Sequence, residues 1–428
     1  MSLLPRPRPM ATRTAPRGLI GVLVALVGLV LVLSGCSLGA SGNDSDDAGG
    51  SGNDSDVSMA ADGGTDSADE SEAATPVGVT ANVARGAKNV AVDKVVKVTA
   101  KNGTLSKVTV SAPKAGKVSG KLSGDSSTWT AGDLLEPGAS YTITTVAKND
   151  DGEVTRSVSH FHTTALTLDE QTYPSVAPLD GETVGVGMPV IVTFDVPVTN
   201  RANIEKHMSV TSTPAQQGTW HWVSSTEVHW RPKTYWKAGT KVKVHVDINS
   251  VNAGNGIYGQ EDRDVSFKIG DAHIYKINTK TDQMRVFSNG KLLRTIPVTT
   301  GMAGFTTRSG VKVIIEKFAS KEMNSETIGI DPNSANGYDI DNVQWAMRLT
   351  YSGEFLHAAP WSVASQGVAN VSHGCTGMST ANAYWLYQLS RRGDVVITTG
   401  TDKYMTLDNG YGDWNESFKE YKKGSALS

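Results

Sequence analysis

The chain has 428 residues, a formal net charge of −3 and 39% apolar residues. That length allows several domains, the mild acidity argues against nucleic acid as the main partner, and the apolar content is low enough that part of the chain is expected not to fold. Cysteine occurs twice, at Cys36 and Cys375, which excludes a disulfide framework.

Arg6, Arg8, Arg13 and Arg17 precede the run GLIGVLVALVGLVLVLSGCS. A basic segment followed by about 15 apolar residues, fewer than the roughly 20 a membrane helix needs, reads as an export signal over residues 1–35. The run ends in Leu33-Ser34-Gly35-Cys36, which resembles a bacterial lipobox. Cleavage before Cys36 and lipidation of its thiol would moor the chain to the outer face of the plasma membrane, in the cell-wall space. An uncleaved signal anchor is the alternative; on either reading the rest of the chain is exported. Lipidation of Cys36 leaves Cys375 as the single thiol, with no partner for a disulfide.

Residues 36–75 are rich in Gly, Ser, Asp and Asn, contain SGNDSD twice and carry no Lys or Arg. Such a segment cannot bury enough apolar surface to fold and reads as a disordered acidic linker. Its Asp-Ser-Asp pieces lack the spacing and closing Glu of a calcium loop. As a flexible coil of roughly 40 residues it would span about 35 Å on average and well over 100 Å when stretched.

Residues 76–165 alternate apolar and polar side chains in short runs such as KVTVSA and SYTITTVA, separated by turn signals such as Lys101-Asn102-Gly103. Residues 166–271 repeat the character in PVIVTFDVPV, TEVHWRP and TKVKVHVDI. The two stretches are weak copies of one another: Trp129 aligns with Trp230 and Gly138 with Gly239, at equal spacing. The expected fold class is therefore mainly β and multidomain, opening with two tandem immunoglobulin-like β-sandwiches whose tryptophans anchor the cores. The sandwiches read as spacers, with direct glycan binding as the alternative.

The pattern changes at residue 272. HIYKINTKTDQMRVFSNGKLLRTIPVTTG reads as two strands around a tight turn at Ser288-Asn289-Gly290. Further strands are expected in SGVKVIIEKF, WAMRLTYSGEFLHA and GDVVITTG. The spacing predicts one helix from Thr380 to Arg391, N-capped by Ser379, with Gly393 just beyond its end and Tyr384, Trp385 and Tyr387 as its packing face. Residues 272–400 thus form a mostly β domain with one main helix. The extension, 401–428, is expected to pack back on a neighbouring domain.

The chemistry concentrates in FLHAAPWSVASQGVANVSHGCTGMS, from Phe355 to Ser379. A thiol reacts as its thiolate, which an imidazole can generate or hold. Backbone N–H groups can stabilise the oxyanion formed on attack at an amide, and glycine lets that backbone approach. His373, Gly374 and Cys375 supply these groups together, and His357 ends a β-run from which it could face Cys375. A small buried cysteine is the bland reading, and a zinc site would want a fourth ligand beyond His357, His373 and Cys375.

A histidine, a spacer and then Ser-His-Gly-Cys resembles the signature of the L,D-transpeptidases, with their YkuD-type catalytic domain, and the resemblance runs over about 271–400. The signal and tandem immunoglobulin-like domains are similar to the actinobacterial branch, and MNSETIGIDPNSANGY resembles its lid. The resemblance implies that Cys375 is the nucleophile and that His357 is the general base, oriented by the backbone carbonyl just after it. It further implies Gly374 and Cys375 N–H groups in an oxyanion hole supported by Tyr338, and Met323, Tyr338, Trp361, Ser372, His373 and Gly377 at the substrate. Three positions depart from the usual pattern: Ala358 stands for Ser, Gly377 for Asn or Arg, and Ile328 for a lid aromatic. Gly377 and Ile328 bear on substrate fit.

The implied activity joins peptidoglycan stem peptides. Cys375 attacks the third residue of a tetrapeptide donor, D-alanine leaves, and a diamino-acid side-chain amine takes the acyl group in a 3→3 crosslink. No metal or organic cofactor is implied, and carbapenem β-lactams are expected as covalent inhibitors. The alternatives are water as acceptor, a protein lysine as acceptor, or a non-catalytic wall-binding protein.

Overall fold

The computed structural model describes residues 75–428. The export signal, Cys36 and nearly all of the acidic linker lie outside the described residues.

The first sandwich packs two four-stranded sheets. One joins Gly78–Ala81, Lys97–Lys101, Thr128–Ala131 and Gly120–Leu122; the other joins Gly116–Val118, Thr104–Ala112, Ser140–Lys148 and Val154–His162. Alternation drives the layering: in Ser140–Lys148, Tyr141, Ile143, Thr145 and Ala147 point inward, as a half-buried strand requires. The second sandwich pairs the Pro174–Ala177, Val190–Phe194, Glu227–Pro232 and Gly218–Trp222 sheet with the sheet of Thr183–Val184, Arg263–Ile269, Lys241–Val246 and Met208–Thr213.

The internal repeat is visible in three dimensions. Trp129 and Trp230 are buried in their respective cores, and each ring lies over a glycine of the adjacent strand. A Cβ on Gly120 would come within 2.1 Å of the Trp129 ring, and one on Gly218 within 2.2 Å of the Trp230 ring. Gly138 and Gly239, the second aligned pair, both have positive φ, +63° and +79°, which explains glycine at both turns.

In the C-terminal region two sheets flank one helix. We number its strands β1 (His273–Asn278), β2 (Gln283–Ser288), β3 (Lys291–Pro297), β4 (Gly310–Val313), β5 (Glu316–Asn324), β6 (Asp339–Arg348), β7 (Phe355–Ala358), β8 (Thr376–Met378) and β9 (Val395–Thr399), with α1 spanning Thr380–Leu389. The five-stranded sheet has the order β3-β2-β1-β9-β4 and the four-stranded sheet β5-β6-β7-β8. Asn289 and Gly290 turn β2 into β3 with φ of +47° and +81°, the geometry of a type I′ hairpin. The stretch expected as two strands contains three, because Asn278 to Asp282, with Asp282 at φ +53°, makes an additional turn between β1 and β2.

Ser379 caps α1 by accepting from the Asn382 N–H, but the helix stops at Leu389, where Ser390 turns to an extended conformation. Its fully buried residues are Ala383 and Leu386; of the three expected aromatics, Trp385 and Tyr387 pack partly buried against the same core and Tyr384 does not. Tyr384 is about half exposed, and the rings of Tyr384 and Tyr387 pack tilted against Trp345 at 4.8 and 5.3 Å.

Val313 and Val395 of this region share one apolar core with Val190, Val244 and Trp230 of the second sandwich. The backbones interlock as well: the N–H groups of Gly185 and Gly187 donate to the carbonyls of Arg392 and Gly393, both at 2.8 Å. The C-terminal extension packs on the second sandwich. Trp414 donates to the Gly187 carbonyl at 2.7 Å, Asp413 meets His229 at 2.8 Å, and the Arg231 guanidinium lies 4.3 Å from the Tyr421 ring centre.

Candidate active site

Strands β7 and β8 run parallel, with His357 opposite Gly377 and Leu356 opposite Thr376. Cys375 immediately precedes β8. Side chains alternate across a strand, so His357 and Cys375 fall on the same face, two positions apart diagonally. Separation by eighteen residues in the chain thus becomes adjacency across one pair of strands.

His357 is buried, and its Nδ1 lies 2.7 Å from the Ala358 carbonyl oxygen. A carbonyl only accepts, so Nδ1 carries the proton and Nε2 is the basic nitrogen. Burial holds the imidazole below its ordinary pKa, against the opposing effect of the Ala358 bond. The side chain at position 358 takes no part in this bond, so Ala in place of Ser leaves it intact. Trp361 stacks on the His357 ring at 5.9 Å and is itself more than half exposed.

The Cys375 sulfur donates to the Gly353 carbonyl at 3.5 Å. Burial pushes the thiol up to about 12, opposed by the backbone N–H of Phe355, so the resting group is the thiol. Two cavities meet at this sulfur. A larger one of about 340 Å³ includes His357, Trp361 and Val343; a smaller one of about 110 Å³ includes Ile328, Arg348 and Gly353. Met323 and Tyr338 belong to both.

The lid ties itself together at Ser325 and Tyr338. The Ser325 N–H donates to the Tyr338 carbonyl at 2.9 Å and the Tyr338 N–H to the Ser325 hydroxyl at 3.1 Å. Burial, then the nearby Cys375, raises the Tyr338 phenol to about 12, so it remains a hydroxyl donor at neutral pH. Ile328 sits over Gly353: a Cβ there would come within 2.9 Å of the Ile328 side chain. His373 packs between the lid and the floor, 5.0 Å from the Tyr338 ring and 4.5 Å from the Phe305 ring. Its buried Nε2 has no hydrogen-bond partner among the described residues.

Two expected roles change. The Gly374 N–H donates to the Ser372 hydroxyl at 3.1 Å, while that hydroxyl donates to the Cys375 carbonyl at 2.6 Å. Gly374 is therefore engaged inside its own loop in this geometry, not presented to an oxyanion. Its φ of +120° accounts for the glycine. Gly377 does not reach the substrate groove: it is buried in β8, its N–H and carbonyl both bonded to Thr299 at 2.9 Å. A Cβ there would meet the Ala359 Cβ at 2.9 Å and the Thr299 methyl at 3.2 Å.

A group not anticipated from the sequence lies directly behind the nucleophile loop. Lys312 of β4 and Glu354, just before β7, are both buried and paired. Arg308 adds its guanidinium at 2.9 Å and its backbone N–H at 3.0 Å to the other Glu354 oxygen. The signal in the sequence is faint: Lys312 alternates onto the same side as apolar Ile314 in VKVII.

Comparison with known proteins accords with this geometry. The L,D-transpeptidase catalytic domain model matches residues 272–398, and a bacterial Ig domain model matches 87–252, spanning from the first sandwich into the second. L,D-transpeptidase 2 of Mycobacterium tuberculosis is 37% identical over 349 residues, covering 81% of this chain and 85% of the relative. L,D-transpeptidase 5 of the same species is 32% identical, covering 73% and 69%. Among solved structures, an L,D-transpeptidase described in complex with imipenem is 37% identical, covers 53% of this chain and 97% of its own, and superposes with a TM-score of 0.47. Similarity to L,D-transpeptidase 2 along most of both chains, with the catalytic domain in register at residues 272–398, shows that this chain belongs to the L,D-transpeptidases.

Proposed function

We propose that Cys375 carries the acyl group in a 3→3 crosslinking reaction on peptidoglycan, with His357 moving the protons. The observation that supports this most directly is the His357 Nδ1 bond to the Ala358 carbonyl, 2.7 Å, which turns a basic Nε2 toward the face that Cys375 shares. Nε2 takes the thiol proton as sulfur attacks the carbonyl carbon of the donor's third residue. The carbon–nitrogen bond to the terminal D-alanine breaks, and that amine leaves with the proton held by His357. The thioester is then attacked by the side-chain amine of a second stem. His357 accepts the proton lost by that amine and passes it to the leaving sulfur, so that an amide forms and Cys375 is released as the thiol. The phenol of Tyr338 donates to the oxyanion in both halves. General-base assistance of this kind contributes about 10²–10⁴ in rate, and one oxyanion donor about 3 kcal/mol.

Two cavities meeting at one sulfur suit a reaction with two peptide substrates, since donor and acceptor need separate approaches. Carbapenems would acylate the same thiol by opening their strained amide. A lipidated Cys36 and the acidic linker would hold the enzyme on the wall side of the plasma membrane. The test is incubation of the full chain with purified tetrapeptide stems and analysis of products by mass. Crosslinked dimer and free D-alanine are expected, both lost in Cys375→Ala. Release of D-alanine without dimer would make water the acceptor, and turnover by Cys375→Ala would remove the nucleophile assignment.

A further inference from the structure

We propose that Lys312 and Glu354 are positioning residues for Cys375: the buried pair holds residues 353–355 against the sulfur and fixes the charge that the sulfur meets from behind. The inference rests on Cys375 being the nucleophile.

Three consecutive residues converge on the thiol. The Gly353 carbonyl accepts from Sγ at 3.5 Å, and the Phe355 backbone N–H faces the same sulfur. Glu354 lies between them. Its carboxylate is held by Lys312 on one oxygen and by the Arg308 N–H and guanidinium on the other. Its own N–H donates to the Thr350 hydroxyl at 2.9 Å, closing the turn that presents Gly353. The nucleophile loop rests on this layer. A Cβ on Gly374 would lie 3.8 Å from Glu354 Cγ, and the Thr307 hydroxyl, adjacent in sequence to Arg308, donates to the Gly374 carbonyl at 2.8 Å.

Stability does not account for the pair. Lys312 is 1% and Glu354 4% exposed, and burying two such groups costs about what their attraction returns, so apolar residues of similar size would stabilise the fold as well. What apolar residues would not supply is charge. The pair is neutral wherever its shared proton sits, and Arg308 makes the group net positive by one. Arg348 of β6 is a second cation near the sulfur. The other ionisable groups lining the two cavities at the sulfur are His357 of β7, Tyr338 of the lid, His373 of its own loop, Lys321 and Glu322 of β5, and Tyr351. A thiol disfavoured by burial ionises more readily with such cations close by. Lys312 favours the thiolate and Glu354 opposes it, so removing the lysine alone leaves the carboxylate less compensated behind the sulfur.

The test is alkylation of Cys375 by iodoacetamide at pH 8 in the full chain, followed by the mass of the peptide containing Cys375. This reads the sulfur whether or not it is the transpeptidation nucleophile, whose assignment is judged separately by Cys375→Ala. Lys312→Met is expected to slow alkylation about tenfold, the effect of removing one nearby charge. Adding Glu354→Gln to Lys312→Met is expected to restore the rate to within about threefold of the original, since both charges are then gone. A purely structural role predicts the opposite, with the double variant as slow as the single or slower, and that result overturns the proposal, as does an unchanged rate in Lys312→Met. If Lys312→Met does not fold, Arg308→Met, nearer solvent, carries the same test with a smaller slowing of about threefold and the same restoration by Glu354→Gln.

Discussion

His357 and Ala358 are neighbours in sequence, yet the imidazole of the first turns back to bond the carbonyl of the second at 2.7 Å. That contact fixes both tautomer and ring plane with no side chain beyond the histidine itself. His357→Gln is therefore expected to slow acylation by stem peptides and by carbapenems about 10²–10⁴-fold while the domain stays folded. Intact mass against time, with circular dichroism as the control for folding, checks it. A loss below tenfold would move the base elsewhere.

His373 is expected to behave differently. Its ring joins lid to floor through Tyr338 and Phe305, so His373→Ala should loosen the lid and raise KM for stem peptides several-fold. The pH at which acylation reaches half its maximum should stay where it was, because the basic nitrogen belongs to His357. A displaced pH profile would give His373 a share in proton transfer.

Gly377→Asn is expected to lower stability by about 1–3 kcal/mol, the usual cost of forcing atoms into a packed site. Its Cβ would press on Ala359, just past the strand that carries His357, and on Thr299, which pairs with the far edge of β8. Thermal unfolding measures the loss. An unchanged melting temperature together with altered stem selection would return position 377 to the substrate groove.

The C-terminal extension should detach at alkaline pH. Burial alone would lower the pKa of His229, but Asp413 and then Glu227 outweigh it and raise the imidazole to about 9. A raised folded pKa gives stability that is full below the unfolded value near 6.5 and is lost as pH climbs through 9. Hydrogen exchange at residues 411–421 should accelerate over that window. Asp413→Asn should remove the pH dependence and weaken docking at every pH, because it leaves His229 buried beside a weaker partner.

A chain beginning at residue 75 is expected to react with carbapenems as fast as the full chain, and Cys36→Ala to release the protein from membranes. Slow reaction of the shorter chain would mean that the linker touches the site. Unchanged membrane partition of Cys36→Ala would favour a signal anchor.

Much of this architecture could be read before any coordinates. Strand alternation, the Asn289-Gly290 turn and the Ser379 cap are local signals, each written in a few adjacent residues, and the Trp129/Trp230 repeat shows by aligning two such short motifs. The Ser-His-Gly-Cys run carried the site in the same way. What was missed depends on residues distant in the chain. Lys312 in a β-run reads as solvent-facing until Glu354, 42 positions later, is folded against it. Gly377 reads as a missing side chain until Thr299 and Ala359 are seen to occupy the space. The Gly374 N–H reads as free until the Ser372 hydroxyl is seen beneath it. The end of α1 was misplaced because nothing in the helix marks Ser390, whose hydroxyl satisfies the Leu386 carbonyl at 2.6 Å.

The core that Val313 and Val395 share with Trp230 and Val244 has a consequence for how this enzyme can be cut and recombined. A break near residue 271 would lay bare apolar surface on both halves, and each would tend to aggregate. The smallest portable piece is the second sandwich and the catalytic region together, with the C-terminal extension retained as the strap between them. Exchange of catalytic regions between relatives should succeed when the crossover falls near residue 166 and fail when it falls near 271, and the yield of soluble chimaeras would measure it.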